Sequence, residues 1–208
     1  MKLIFATHNP GKIEEMQEIL INLPIEILTA DQAGVTEDVI EDGKTFEENA
    51  LKKARFVCER TGEWTMADDS GICIDALHGA PGVLTARWAG EDATDNQLVS
   101  YTLDQLKDVP TGNRQATFCS VVVLLSPKGE VWIFEGTVRG TIPPVPSGTA
   151  RPKLPYDVIF IPDGQSKTFG DMTEEQKNAM SHRGIAFSKL KAFLQRAQDT
   201  KEIDLSVL

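Results

Sequence analysis

Three things are scarce in this chain, and each scarcity removes a class of function. Cysteine is the first: Cys58, Cys73 and Cys119 are the only three in 208 residues. They form no C-x-x-C spacing, which argues against a disulfide framework or a thiolate zinc site. Their apolar surroundings read as buried, reduced thiols. Long hydrophobic runs are the second. The longest, Val121 to Leu125, is far short of the ~20 residues that cross a bilayer. The opening MKLIFATHNPGK turns polar after Ala6 and holds no apolar stretch of signal-peptide length. Positive charge is the third. Lys and Arg total 21 against 31 Asp and Glu, a net charge of −10. Such a surface repels long nucleic acids and acidic membranes. A soluble, cytoplasmic chain is expected, able to take a small anion where cations cluster or a metal intervenes.

What is present fits an ordinary globular core. Apolar residues at 41% and charged residues at 25% exclude wholesale disorder. The length suits one domain, or one domain with a lobe, over residues 1–208. Residues 2–6 read as a buried strand, followed by an Asn9-Pro10-Gly11 turn. A helix is expected from about Lys12, burying Ile13, Met16 and Leu20. Thr45 and Glu48 make a capping box for a second helix with Phe46, Ala50, Ala54 and Val57 inward. Residues 64–76 suggest two short strands around a polar turn. Thr94 and Gln97 cap a helix along Leu98, Tyr101 and Leu106. Residues 116–126 and 130–138 are β-rich about a Pro127-Lys128-Gly129 hairpin. A Pro/Gly-rich loop spans 143–155, Thr173 caps a helix over 174–180, and a last helix after Ser181 buries Phe187, Leu190, Leu194 and Ala197. The hairpin makes a purely parallel sheet unsuitable, so a mixed α/β architecture is expected.

Three segments could carry chemistry. THNPGK, residues 7–12, joins a strand to a helix, where free N–H groups, the helix dipole and Lys12 favour an anion. It lacks the full Walker pattern, and a plain turn reads equally well. Asp68-Asp69-Ser70-Gly71 sets two acids among apolar neighbours, costly to bury unless paired or bound to a cation. Hard oxygen ligands suit Mg²⁺, with Glu41 or Asp42 as a further carboxylate; a solvated turn is the alternative. KNAMSHRG, residues 177–184, gathers Lys177, His182 and Arg183 at a helix start, a mismatch with the dipole that a bound anion would relieve. Together these describe a metal-dependent phosphate-ester site. His8 and His78 lie in no metal-ligand pattern. Trp64, Trp88 and Trp132 read as packing residues.

Five blocks in fixed order then carry a resemblance. They are THNPGK (7–12), EDGKTFEENALKKA (41–54), ADDSGICIDALHGAPGVLTARWAG (67–90), FEGTVRGTI (134–142) and SHRGIAFSKL (181–190). In these the chain resembles the inosine/xanthosine triphosphate pyrophosphatase family, which cuts non-standard purine triphosphates to monophosphate and pyrophosphate. The resemblance implies an elongated mixed α/β molecule of two lobes with a nucleotide cleft between them, and a homodimer. It also implies Mg²⁺ as cofactor, held by Glu41 and Asp69, with Asp69 orienting or deprotonating the attacking water and Asp68 supporting the pair. Thr7, His8, Asn9 and Lys12 would lie along the phosphates, with Lys53 and Ser70 close by. Lys177, His182 and Arg183 would contact phosphate and base. No cysteine or serine nucleophile is required. A related group of septum-inhibitor-like pyrophosphatases with other base preferences is less similar at SHR (181–183). A binding protein without turnover would have no need of a water-activating acid.

One block departs from the family. Where the family has G-F-G-Y-D-P, this chain reads Lys153-Leu154-Pro155-Tyr156-Asp157-Val158. Tyr156 and Asp157 remain as substrate-binding candidates, but Leu154 stands where an aromatic side chain would pack on the purine. Base–aromatic stacking contributes ~1–3 kcal/mol, and Pro155 removes an N–H. Arg151 and Lys153 add positive charge beside the loop. Retained phosphate chemistry with altered, weaker or broader base selection is the expectation.

Overall fold

The computed structural model describes residues 2–200. Its frame is one six-stranded sheet in the order β2-β1-β3-β4-β5-β6. Strands β1 (Lys2–Phe5) and β2 (Glu26–Thr29) pair in parallel, as do β1 and β3 (Trp64–Ile74). From β3 onward, β4 (Gln115–Leu125), β5 (Val131–Thr141) and β6 (Ile161–Pro162) run antiparallel. The expected mixed α/β architecture and the central hairpin are both present.

Helices cover both faces. Helix α1 (Pro10–Ile19) begins two residues earlier than expected, because Asn9 is its N-cap, accepting from the Lys12 N–H at 3.2 Å. Pro10 can stand at the first helical position, where no N–H bond is needed. Helix α2 (Phe46–Thr61) is capped by the Thr45 hydroxyl, but Glu48 closes on the Lys44 N–H at 2.6 Å rather than on Thr45. Helix α3 (Asp95–Gln105) has the full Thr94–Gln97 capping box. Helix α4 (Glu174–Asn178) is shorter than expected, and α5 (His182–Thr200) follows it directly.

The largest correction concerns residues 64–76. They form a single eleven-residue strand through Asp68, Asp69 and Ser70, paired residue by residue with β4, not two short strands about a turn. The polar run is tolerated because each acid meets a cation. Gly71 is needed there: a Cβ would fall 2.4 Å from Thr85 Oγ1 and 2.5 Å from the Gly82 carbonyl. The thiols need correcting too. Cys58 is buried, whereas Cys73 and Cys119 are only half-buried.

The apolar core is divided. One cluster packs α1 and α5 onto the sheet through Leu3, Phe5, Met16, Phe187 and Leu190. A second packs α2 on the opposite face through Ala50, Ala54, Val57 and Val123. A third, with Leu98, Phe118, Tyr156 and Phe160, occupies the far end. Strand β1 stops at Phe5, opposite Met66, and the last bond there runs from the Ala6 N–H to the Met66 carbonyl at 2.8 Å. Beyond it, among the described residues, β3 has no neighbouring strand on that side, only the single Cys73–Pro81 bridge near its end. The cleft opens along that free edge, between the two ends of the core.

Candidate active site

The cleft has a volume of about 340 Å³ and draws its walls from α1, α2, α3, α5, β3, β4 and the loops between them. Of the residues singled out from the sequence, Thr7, His8, Asn9, Lys12, Glu41, Lys53, Asp69, Ser70, Leu154, Tyr156, Asp157, His182 and Arg183 line it. Asp68 and Lys177 stand behind its wall.

Strand alternation explains the separation of the two aspartates, because successive side chains on a strand leave by opposite faces. Asp69 turns toward α2. Its Oδ2 accepts from the Asn49 amide at 3.0 Å, and its Oδ1 lies 3.7 Å from Lys53 Nζ. The same ammonium sits 3.2 Å from Glu41 Oε2, so one lysine bridges the two carboxylates. Burial pushes the Asp69 carboxyl above the usual carboxylate range, although Lys53 and Lys12 oppose it. Burial works against the charge on Lys53, but Asp69, Glu41 and Asp68 outweigh it and hold its pKa up.

Asp68 turns the other way, toward α1 and α5. It is fully buried, and its Oδ2 lies 2.9 Å from Lys12 Nζ. Burial alone would raise its pKa, but Lys12, Lys53 and Arg183 bring it below the ordinary value. Asp68 therefore does not stand beside Glu41 and Asp69 as a third carboxylate; it holds Lys12. Ser70 connects this side to α5, donating to Asp68 at 3.4 Å and accepting from Arg183 Nη1 at 2.9 Å.

The cationic cluster at 177–183 also differs from its sequence reading. Lys177 belongs to α4, is fully buried, and is ion-paired with Glu15 and Asp157. Arg183 pairs with Glu15 as well. The His182 ring stacks on Phe118, with centroids 4.4 Å apart and planes 4° from parallel. Burial first, then Arg183, drives its pKa well below the ordinary value, so His182 is neutral. Its buried Nδ1 has no hydrogen-bond partner among the described residues. The electrostatic mismatch is thus answered from within the chain, by Glu15. Burial opposes ionisation of Glu15, yet Arg183 and Lys177 hold its carboxyl down to about 2.

Asp157, buried among these charges, is shifted upward by burial despite Lys177. Tyr156 donates from its hydroxyl to the Thr85 carbonyl at 2.9 Å, and burial raises its pKa to about 12. Leu154 lies against the start of α1, so close that a Cβ on Gly11 would sit 2.8 Å from Leu154 Cγ. Arg151 adds no free charge to the loop, because it is paired with Glu174 and Asp157. His8 lies 3.1 Å from Asp31 at the rim. Asn9 accepts from Lys12, and its own N–H donates to the Thr7 hydroxyl at 3.2 Å.

Sequence reasoning missed Glu15, Asn49 and Arg87. Arg87 donates to the Glu41 carbonyl at 2.7 Å, and the Asn49 side chain accepts from the Gly43 N–H at 2.8 Å, fixing the loop that carries Glu41. Arg87 and Asn49 lie inside the matched blocks. Glu15 carried no signal beyond an acid on the apolar side of α1.

Glu41 and Asp69 are hard oxygen donors bridged by one lysine. Such a pair suits a hard cation that takes one or two carboxylates and fills its shell with water and phosphate.

Replacing Glu15 by Gln leaves two buried cations undercompensated, and breaking a buried pair in this way costs about 3–5 kcal/mol. Urea unfolding at neutral pH is expected to show a loss of that size; unchanged stability would contradict the role. The sign with pH follows from the depressed pKa. The contribution of Glu15 is present above the ordinary carboxylate range and is lost as pH falls from 4.5 toward about 2.

Residues 3–193 match the Ham1 family. The chain is 43% identical over 191 residues to a dITP/XTP pyrophosphatase of Streptomyces coelicolor, covering 91% of this chain and 94% of that one. It is also 43% identical to a Clostridium perfringens dITP/XTP pyrophosphatase, with 91% and 95% covered. Among solved structures, a HAM1 protein from Coxiella burnetii superposes with a TM-score of 0.86 at 36% identity, covering 95% of this chain and all of its own. The Staphylococcus aureus Ham1 protein gives 0.83 at 33%, with 94% and 99% covered. With the family model and these relatives matched across nearly the whole length, the chain belongs to the Ham1 family.

Proposed function

We propose that this chain hydrolyses non-standard purine nucleoside triphosphates, such as those of inosine and xanthosine, to the monophosphate and pyrophosphate. The observation that carries the reading is the meeting, at one free strand edge, of two carboxylates and two lysines. Asp69 and Glu41 share Lys53, and Lys12 faces the same cleft. The dITP/XTP pyrophosphatases to which the chain is similar support it.

The residues divide the work. Lys12, the N–H groups at the start of α1 and Arg183 draw the polyphosphate in and offset its charge. Asp69 accepts a proton from water attacking the α-phosphorus, as a carboxylate held in place by the Asn49 amide and Lys53. The P–O bond to the leaving pyrophosphate breaks as the new one forms, with no covalent enzyme intermediate, so catalysis rests on positioning and electrostatics. Glu41 and Asp69 are the residues that would hold Mg²⁺, which when bound supplies phosphate charge neutralisation and lowers the pKa of water. Neutral His182, stacked on Phe118 in the cleft wall, stands where the base would pack. Lys177 serves from behind by fixing Asp157.

Three further parts of the reading rest on the family rather than on geometry: one catalytic unit of two lobes, work as a homodimer, and a cytoplasmic setting. No helix among the described residues is long and apolar enough to cross a membrane.

Two measurements test the proposal. Asp69→Asn is expected to lower kcat by ~10²–10⁴-fold in a pyrophosphate-release assay with Mg²⁺; near-normal turnover removes Asp69 from the mechanism. A substrate panel tests base selection. With Leu154 in the aromatic position, kcat/KM for inosine triphosphate over adenosine or guanosine triphosphate is expected to stay under ~10³, because the lost stack is worth ~1–3 kcal/mol. A sharper preference contradicts altered base recognition.

A further inference from the structure

Lys153 plays no part in the chemistry above, yet the chain holds it with care. It is exposed, lines the mouth of the cleft, and has φ 60°. Side-chain-bearing residues keep that left-handed conformation only when their surroundings enforce it. Both backbone polar groups are engaged. The N–H donates to the Asp95 carboxylate at 2.9 Å, and the carbonyl accepts from the Asn9 amide at 3.3 Å. Upstream, Arg151 ties the segment to the Phe169 and Met172 carbonyls at 2.9 and 2.8 Å, besides its two carboxylates. Downstream, Leu154 is 7% exposed and its N–H donates back to the Arg151 carbonyl at 3.1 Å. The backbone is therefore fixed. The ammonium at the end of the side chain, by contrast, has no ion pair or hydrogen bond among the described residues.

Lys12, Lys53, Glu41 and Asp69 supply charged lining to the cleft, and Leu98, Phe118 and Leu154 supply apolar lining. A triphosphate suits the first set and the flat apolar faces of a purine the second. Lys153 adjoins Leu154 and is tied through Asp95 to the helix that carries Leu98, and through Asn9 to the start of α1. From the mouth of the cleft its flexible side chain can extend an ammonium to the polar rim of a base packed on Leu154. An ammonium offers three donors and no acceptor. It rewards keto oxygens and cannot accept from the exocyclic amine of adenine. Xanthine presents two keto oxygens, and its ring loses a proton more readily than that of hypoxanthine, so it gains most from a nearby cation.

We infer that Lys153 is a specificity-determining residue that favours xanthosine triphosphate over inosine and adenosine triphosphates. The inference deepens the proposed function and rests on it. The test compares kcat/KM for the three triphosphates in the native protein, Lys153→Gln and Lys153→Arg. Lys153→Gln is expected to lower the xanthosine-to-inosine ratio about tenfold, mainly through KM, the size of one charge-assisted hydrogen bond. Lys153→Arg should keep most of the ratio. An equal fall for all three substrates assigns Lys153 to the phosphates and overturns the inference, as does an unchanged ratio. If the native protein releases pyrophosphate from none of them, the hydrolase reading fails separately. Calorimetric binding of xanthosine and inosine monophosphates to the native protein and Lys153→Gln then decides the inference by the same ratio.

Discussion

The site depends on a polar strand surviving inside a folded sheet. Residues 68–70 run through the middle of β3, where an uncompensated carboxylate would be driven to its neutral form. Each acid survives because alternation sends it to a different face and a different cation waits there. Asp68 meets Lys12 from α1, and Asp69 meets Lys53 from α2. Two helices on opposite sides of the sheet are thereby locked to one strand, at the point where β1 ends and the strand edge is free. The cleft opens there, and the loops that carry Glu41 and Lys153 complete its walls.

Charge is handled on a second tier by Glu15. Buried Lys177 and Arg183 converge on it from α4 and α5, and Asp157 completes the group. This arrangement fixes the start of α5, where His182 stacks on Phe118 in the cleft wall. Gly136 on β5 permits the same approach, since a Cβ there would fall 2.0 Å from the His182 carbonyl. Positioning of the His182 wall of the cleft is thus a matter of buried ionic order, while its Lys12 side is set by a helix start and the strand edge.

Much of this was legible in the sequence, for reasons that can be named. Helix starts announced themselves through Thr94, Thr173 and Thr45, whose hydroxyls satisfy local N–H groups, and the β4–β5 hairpin through Pro127-Lys128-Gly129. Most of the cleft residues singled out came from the five blocks, and Leu154, Tyr156 and Asp157 from the departing segment 153–158. The continuity of β3 was not legible, because an Asp-Asp-Ser-Gly run has turn chemistry until partners from distant helices neutralise it. Glu15 was hidden for the same reason: its burial exists only once α5 docks on α1. The neutrality of His182 was equally out of reach, since it comes from desolvation within that assembly. Arg151 looked like added loop charge and proved to be an anchor, because Glu174 and Asp157 lie far from it in local pattern but close in space.

The central claim is that adjacent aspartates on one strand do different work, Asp69 toward a divalent cation and Asp68 toward Lys12. Titration calorimetry of Mg²⁺ in the presence of a non-hydrolysable purine triphosphate separates them. The account predicts that Asp69→Asn abolishes measurable Mg²⁺ binding while Asp68→Asn retains it. Loss of binding in Asp68→Asn with retention in Asp69→Asn, or equal loss in both, would contradict it.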